Sequence, residues 1–581
     1  MEEGLGRTVI ARDRFARSWG LGNRSSPACF TPALIISPDE QIPISIAPFV
    51  TRRDEEVPAT LSLSSRLPLS PPEFSGNHPN WQVSIGNVLP PSLEEADAGE
   101  EAGTGQLLPI SWQSLNHDAN LLDPELDPAI ICLVDALNLA ASPGKLVKAI
   151  SVIKRRFPSA LIWAPGIGGP DNLALMSWIG IDLFDLVRTN AVSAGGMLLS
   201  RNGPRDFVAD ENHDTQVLEW TLAINEVRSA LKDGNLRGLA YQQSLNSPRL
   251  VEHLRHFDSI CVEQSDELLT RIVDENHEFR SDHPQVLNDP LVKDWSQYMN
   301  EKYVCPDGLN HTLVLLPCSA RKPYKMSKSH RAFRNAIGST SVHEVMVTSP
   351  LGLVPRDLEE IWPARHYDIP VTGQWSADEK ILINSMIDRL VNRMGYARII
   401  NHSGLDLDVE CIDTRQGERA TSHSALERLS EAVKDSELPN RKGNQVVMDM
   451  LRSVAFAHLG DGSWLDDCVI KGRPPRWKVF SDGQQLAVWS PERGGFSISA
   501  KGISFMFEKG LLPRVELKVD GPIKGDLFPH MIGGEIPQFR RGDDVLLTNN
   551  NRLVASVRAL APSWEWNGGA GRLAKLHHRF E

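Results

Sequence analysis

The chain has 581 residues, of which 41% are hydrophobic and 23% charged, and a formal net charge of −13. That length exceeds one core and implies about four domains, and the acidic balance excludes a protein that coats nucleic acid through bulk charge. Seven scattered cysteines (Cys29, Cys132, Cys261, Cys305, Cys318, Cys411 and Cys468) form no CxxC pair, which argues against a zinc cluster or a disulfide framework and fits a reducing cytoplasm.

The N-terminus lacks the apolar core of a signal peptide, and no run of eighteen apolar residues predicts a membrane span. Up to residue 90, short apolar runs such as Ala33-Leu34-Ile35-Ile36 and Val83-Ser84-Ile85 alternate with breaks such as Pro71-Pro72, predicting short strands. Residues 89–106 carry five acids and several glycines and read as a solvated loop. From 130 to 260 the pattern becomes βα units. Strands are expected at 130–134, 160–165 and from Ile181, with helices at 146–157 and 172–179, implying a parallel sheet, open or closed. Asp182 and Asp185 then fall at a strand end. Ala164-Pro165-Gly166-Ile167-Gly168-Gly169-Pro170 lacks phosphate-loop spacing and reads as a tight strand-to-helix turn. Residues 265–308 are polar and suit a connector.

A second α/β region is expected from about 310 to 440. A buried strand, Leu313 to Leu316, precedes the stretch Pro317 to His330, where Cys318, Lys322, Tyr324, Ser327 and His330 emerge together. Six Lys or Arg and no acid lie between Pro317 and Asn335. Open α/β sheets bind ligands at the carboxyl ends of their strands, so an anionic or electrophilic substrate is expected here. Val345 to Ser349 reads as a strand leading into a loop, Pro350 to Arg356. Ser376 should cap a helix, Ala377 to Arg393, with Asp378 and Glu379 in its first turn. Arg398 to Asn401 reads as a buried strand, and a β pattern takes over from Trp477.

Three stretches resemble known families. Ala164-Pro165-Gly166, Asn172-Leu173-Ala174-Leu175 and Gly180-Ile181-Asp182-Leu183-Phe184-Asp185 resemble the tRNA-guanine transglycosylase barrel, in which Asp185 would match the nucleophile; Arg17 and Thr31-Pro32-Ala33 resemble its opening strands. The family's DSGG-type base-recognition element and its clustered zinc cysteines are not visible. Pro317-Cys318, Lys322-Pro323-Tyr324, Ser327 and His330 match the PC-x3-KPY-x2-S-x2-H core of the archaeosine synthase alpha subunits, as do His343-Glu344-Val345, Thr348 to Arg356, His366-Tyr367-Asp368 and Pro370-Val371-Thr372-Gly373. The last segment, with Phe539-Arg540-Arg541-Gly542-Asp543-Asp544-Val545, resembles a PUA domain.

The resemblance implies a multidomain α/β protein: a degenerate transglycosylase-like (β/α) barrel at 1–265, a connector at 266–308, a catalytic domain at 309–440, an α+β domain at 441–510 and a PUA β-barrel at 511–581. It implies a cytoplasmic transferase, without cofactor or metal, that adds an amino acid to the nitrile of 7-cyano-7-deazaguanine at position 15 of the tRNA D arm. Lysine through its side-chain amine, or glutamine, would be the donor. A radical-SAM subunit would be the partner, with a homodimer possible in principle. Cys318, Lys322, His330 and Asp185 are the expected catalytic residues. Pro317, Tyr324, Ser327, Arg356 and Asp368 would bind substrate, and Arg540, Arg541, Arg572 and Lys575 would bind tRNA. Cys318 could add to the nitrile or only line the pocket. Two rivals stand beside this: a true transglycosylase using Asp185, and a non-catalytic tRNA scaffold.

Overall fold

The computed structural model describes residues 5–53, 60–67, 80–84, 107–123, 125–208, 210–273, 276–281, 283–368, 374–434, 441–518, 523 and 525–580. The acidic loop at 89–106, Pro71-Pro72, Ile85 and Pro370 to Gly373 lie outside these residues. The chain divides into two compact units: 1–268 with 515–540 and 557–576, and 269–514 with 541–556 and 577–581.

The first unit opens with an antiparallel meander, β1 (Arg7–Asp13), β2 (Ala16–Asn23) and β3 (Ser26–Phe30). An eight-stranded sheet follows, made of β4 (Ala33–Ile36), β5 (Phe49–Arg53), β6 (Thr60–Ser65), β7 (Asn80–Ser84), β8 (Leu107–Ile110), β9 (Ile130–Leu133), β10 (Leu161–Trp163) and β11 (Leu183–Asp185). Its order is β7-β6-β5-β4-β11-β10-β9-β8, and edge strands β7 and β8 lie against each other without a hydrogen-bonded ladder. The sheet is therefore barrel-like and nearly closed. Along β4, β9, β10 and β11 successive side chains alternate faces. Ile35, Ile130, Leu161 and Leu183 fill the enclosed side. Leu34, Ile131, Ile162 and Phe184 meet helices such as Lys145–Arg156 and Leu173–Trp178 on the outside. A hairpin, β12 (Met197–Ser200) with β13 (Gly203–Asp206), and three longer helices complete this part.

The expected βα alternation is present, yet Asp182 stands at the start of β11 rather than in the mouth. Its carboxylate is buried, accepting from Lys154 Nζ at 2.7 Å, Ile162 N at 2.9 Å and Trp19 Nε1 at 3.0 Å. Nearby, Arg12 and Arg17 reach Glu565 at 2.8 and 3.3 Å. Buried charges survive only when paired in this way.

In the second unit, β14 (Phe279–Arg280) precedes a five-stranded sheet: β15 (Thr312–Pro317), β16 (His343–Thr348), β17 (Gly352–Pro355), β19 (Arg398–Asn401) and β20 (Ile412–Asp413), with β18 (Tyr367–Asp368) pairing β14 in parallel. Its order is β17-β16-β15-β19-β20, with β15 central and parallel to both neighbours. The segment expected to be a loop at 350–356 is mostly β17, the return strand of a hairpin on β16. Pro350, Gly352 and Pro355 read as breakers, but an edge strand tolerates them. Val314 and Leu316 pack against helices Lys328–Ile337 and His423–Lys434, while Leu313 and Leu315 face helix Ala377–Met394. Ser376 caps that last helix: its Oγ accepts from Glu379 N at 3.2 Å, and Glu379 Oε2 accepts from Ser376 N at 2.7 Å. The polar stretch read as a connector supplies Val286, Val292, Trp295, Met299 and Tyr303 to this core. A four-stranded meander over 469–498 and helix Ala500–Lys509 follow. Among the described residues, no helix is long and apolar enough to cross a membrane.

Candidate active site

β15 runs first, β16 lies on one side of it and β19, reached later, on the other. The chain thus reverses direction at the carboxyl end of β15, the crevice where open α/β sheets bind ligands. Pro317 ends this strand and pairs with Val347, which sets the next residue, Cys318, beside Thr348.

Four side chains converge there. The half-buried Cys318 thiol lies beside Thr348, whose hydroxyl donates to the Ser349 carbonyl at 3.2 Å; burial pushes the thiol pKa up, while Thr348 and the nearby Lys322 ammonium pull it back. Lys322 Nζ stands 3.9 Å from the centroid of the Tyr367 ring. Burial lowers the Lys322 pKa, opposed by Cys318 and by Asp368, which is exposed at the rim. Tyr367 is held by its hydroxyl, 2.6 Å from Thr348 Oγ1, and by pairing with Tyr324, whose hydroxyl is 3.4 Å from Thr348. Burial disfavours both the thiolate and the ammonium, raising the one pKa and lowering the other so that the two groups approach each other in acidity. A proton passing from sulfur to nitrogen creates the nucleophile within the site.

The structure places several expected residues in other roles. His330 is fully buried; its Nδ1 accepts from Arg356 Nη2 at 3.0 Å. Burial and that guanidinium depress its pKa to about 3, so it is a buried neutral imidazole rather than an exposed acid. Ser327 caps helix Lys328–Ile337, its Oγ accepting from His330 N at 3.1 Å. Tyr324 is fully buried and acts through its hydroxyl contacts. Arg356 is committed to Glu344 Oε2 at 2.6 Å and Glu359 Oε2 at 2.9 Å. Thr348 and Tyr367, which no expectation gave a role, complete the cluster. Their legible signal is that both fall in stretches, Thr348 to Arg356 and His366 to Asp368, that resemble the family, without a role assigned to either.

Asp185 lies in the other unit, on the enclosed side of the nearly closed sheet. Its Oδ2 accepts from Trp163 Nε1 and Gly166 N, both at 3.0 Å, and its Oδ1 from Val187 N at 3.0 Å. Three of the roughly four lone-pair sites of this carboxylate are thus taken by these N–H donors. Gly166, at φ 74°, and Gly168, where a Cβ would sit 2.5 Å from the Phe184 ring, build the tight turn that supplies one of these donors. Arg540 is buried and bound to Asp266 at 2.9 Å, which removes it from an RNA-facing surface. Arg541, Arg572 and Lys575 are exposed, with Arg572 paired to Asp526 at 3.0 Å. No group of three or more His, Cys, Asp or Glu among the described residues could hold a metal ion.

Residues 292–433, which contain Cys318, Lys322, Thr348, Arg356 and Tyr367, match a family described as a domain of unknown function, DUF5591. The chain is similar to archaeosine synthase subunit alpha of Methanosarcina acetivorans, 24% identical over 543 residues and covering 83% of each chain. It is 28% identical over 445 residues to archaeosine synthase subunit alpha of Thermoplasma acidophilum, covering 73% of this chain and 82% of that one. A protein named archaeosine synthase from Haloferax volcanii is 28% identical over 424 residues, covering 66% and 70%. The resemblance read from residues 317–330 is thus shared by most of the chain.

Proposed function

We propose that this chain is an archaeosine synthase: a tRNA-modifying transferase that joins an amine, the side-chain amine of lysine, to the nitrile of 7-cyano-7-deazaguanine in tRNA. The observation that carries the reading is the Cys318–Lys322 pair at the crevice of β15, with the hydroxyls of Thr348 and Tyr367 beside it and Asp368 exposed at its rim. A nitrile carbon is a modest electrophile, so addition needs a strong nucleophile and a proton for the developing nitrogen anion.

Lys322 takes the Cys318 proton, and the thiolate sulfur bonds to the nitrile carbon. One π pair of the C≡N bond moves to nitrogen, which receives the proton from Lys322. The product is a thioimidate. The neutral amine of the amino acid then adds to the same carbon, the C–S bond breaks, and sulfur leaves as thiolate to be reprotonated by the proton the amine gives up. Nitrile and amine become an amidine, with no oxidant or reductant consumed. Asp368, exposed beside Lys322, is placed to hold the α-ammonium of the incoming amino acid. Base exchange through Asp185 is disfavoured, since three N–H donors of its own surroundings hold its carboxylate. The sheet of the first unit then acts as a transglycosylase-like barrel that has kept its frame and lost its chemistry. The C-terminal segment, which resembles a PUA domain, serves as an RNA grip, with Arg572 and Lys575 exposed on it, and a radical-SAM subunit would process the adduct.

Intact-mass measurement of the chain mixed with cyano-modified tRNA, with amine withheld, tests the covalent step. The expected result is a nuclease-trimmed nucleotide adduct on Cys318. Full single-turnover transfer by Cys318→Ser would overturn it.

A further inference from the structure

The stretch leaving β15 carries six cations from Arg321 to Arg334 and no acid, in a chain of net charge −13. Two of the six turn inward: Lys322 lies over Tyr367, and Lys325 pairs with the buried Glu360. The acids packed beneath them are consumed as well, since Glu344 and Glu359 hold Arg356. The other four, Arg321, Lys328, Arg331 and Arg334, are exposed, and among the described residues their side chains make no ion pair or hydrogen bond.

Three of these four repeat every third residue on helix Lys328–Ile337, whose opposite face buries His330, Phe333 and Ile337. Like charges at that spacing weaken a helix, so an uncompensated row has no stabilising role in the fold. From Lys328 to Arg334 it runs about 9 Å along the helix axis, and Arg321 extends it toward Cys318. A row of separated cations fits a ligand whose negative charges are themselves spaced along a line, which describes a nucleic acid strand.

Resting on the RNA reading above, we infer that Arg321, Lys328, Arg331 and Arg334 form a phosphate track that holds the tRNA strand flanking the modified base and delivers that base to Cys318. Phosphate contacts of this kind fix register and orientation, leaving recognition of the base to the crevice.

The salt dependence of binding tests the track. Each cation that displaces counterions contributes roughly 0.7–0.9 to the slope of log affinity against log salt, so four contribute about 3. A fourfold rise in salt should then weaken the wild type about 60-fold more than the variant R321Q/K328Q/R331Q/R334Q. Anisotropy of fluorescent tRNA between 50 and 200 mM KCl reads this directly, with R321K/R331K/R334K expected to keep the wild-type slope. All four side chains are exposed and unpaired, so circular dichroism should show the variants folded. A slope unchanged in the quadruple variant overturns the track while leaving the RNA reading in place. Loss of binding to an acidic partner protein with the tRNA slope retained also overturns it. A wild-type chain that binds no tRNA removes the RNA reading and the track together.

Discussion

Replacing Thr348 with valine keeps the shape of the side chain and removes the hydroxyl that holds the Cys318 pKa down. That hydroxyl also lies 2.6 Å from the Tyr367 hydroxyl and 3.4 Å from that of Tyr324. In the resting structure the Thr348 hydroxyl donates to the Ser349 carbonyl at 3.2 Å; turned onto the thiolate when it forms, it exchanges a neutral acceptor for a charged one. Such bonds contribute about 1.5–3 kcal/mol, against about 0.5–1.5 kcal/mol for neutral ones. The difference, about 1 to 1.5 kcal/mol, corresponds to roughly one pKa unit. Burial already holds this thiol above its ordinary value, so Thr348→Val should raise it further. Iodoacetamide labelling, located at Cys318 by peptide mass and followed against pH, should slow about tenfold below the pKa and reach the wild-type plateau above it. Thr348→Ser should restore the wild-type profile. An unshifted profile, or slowing by the same factor at every pH, would refute the hydrogen-bond account.

Three further outcomes follow from buried groups. Lys154→Met strands the Asp182 carboxylate, so the urea midpoint should fall by an amount equivalent to about 3–5 kcal/mol; a change below about 1 kcal/mol would show that the pair adds little. Burial depresses His330 and His343 to about 3 and His366 to about 4. Their stabilising effect is therefore complete above pH 6.5 and lost as pH falls toward those values, with a slope of up to about 1.4 kcal/mol per pH unit for each. Asp357, raised by burial to about 6, opposes this, because its effect is present at low pH and lost as pH rises through 6. His343→Gln should flatten the acid limb of urea stability by one histidine's share, and an equal slope would contradict this. Asp185→Asn should lower stability by about 1–3 kcal/mol, through N–H donors left poorly matched, while amine transfer per folded molecule stays at the wild-type rate; loss of transfer in a folded variant would return Asp185 to the chemistry.

What the sequence made legible follows the range of the interaction behind each feature. Apolar runs bounded by turn residues located β9, β10, β15 and β19, and the Ser376–Glu379 capping box located its helix, because both signals are local. Cys318 was legible as a residue leaving a buried strand. Thr348 and Tyr367 were not, because their place beside the thiol depends on the β15–β16 register and on the pairing of β14 with β18. His330 reads as a titratable group among cations, and only its burial against Arg356 makes it a neutral imidazole. Arg540 sits in a basic turn, yet its partner Asp266 lies 274 residues earlier. Asp182 reads as a strand-end acid, and only packing closes it with Lys154, 28 residues earlier, into one buried pair.

The central claim is that this chain builds an amidine on the cyano-deazaguanine of tRNA. Wild-type chain, tRNA carrying 7-cyano-7-deazaguanine and isotopically labelled lysine should be incubated together, and the tRNA digested to nucleosides for mass spectrometry. The account predicts a modified nucleoside heavier by one whole lysine, labelled, with its formation abolished in Lys322→Met and Cys318→Ala. An unchanged nucleoside, or one whose base has been exchanged with no lysine attached, would contradict it.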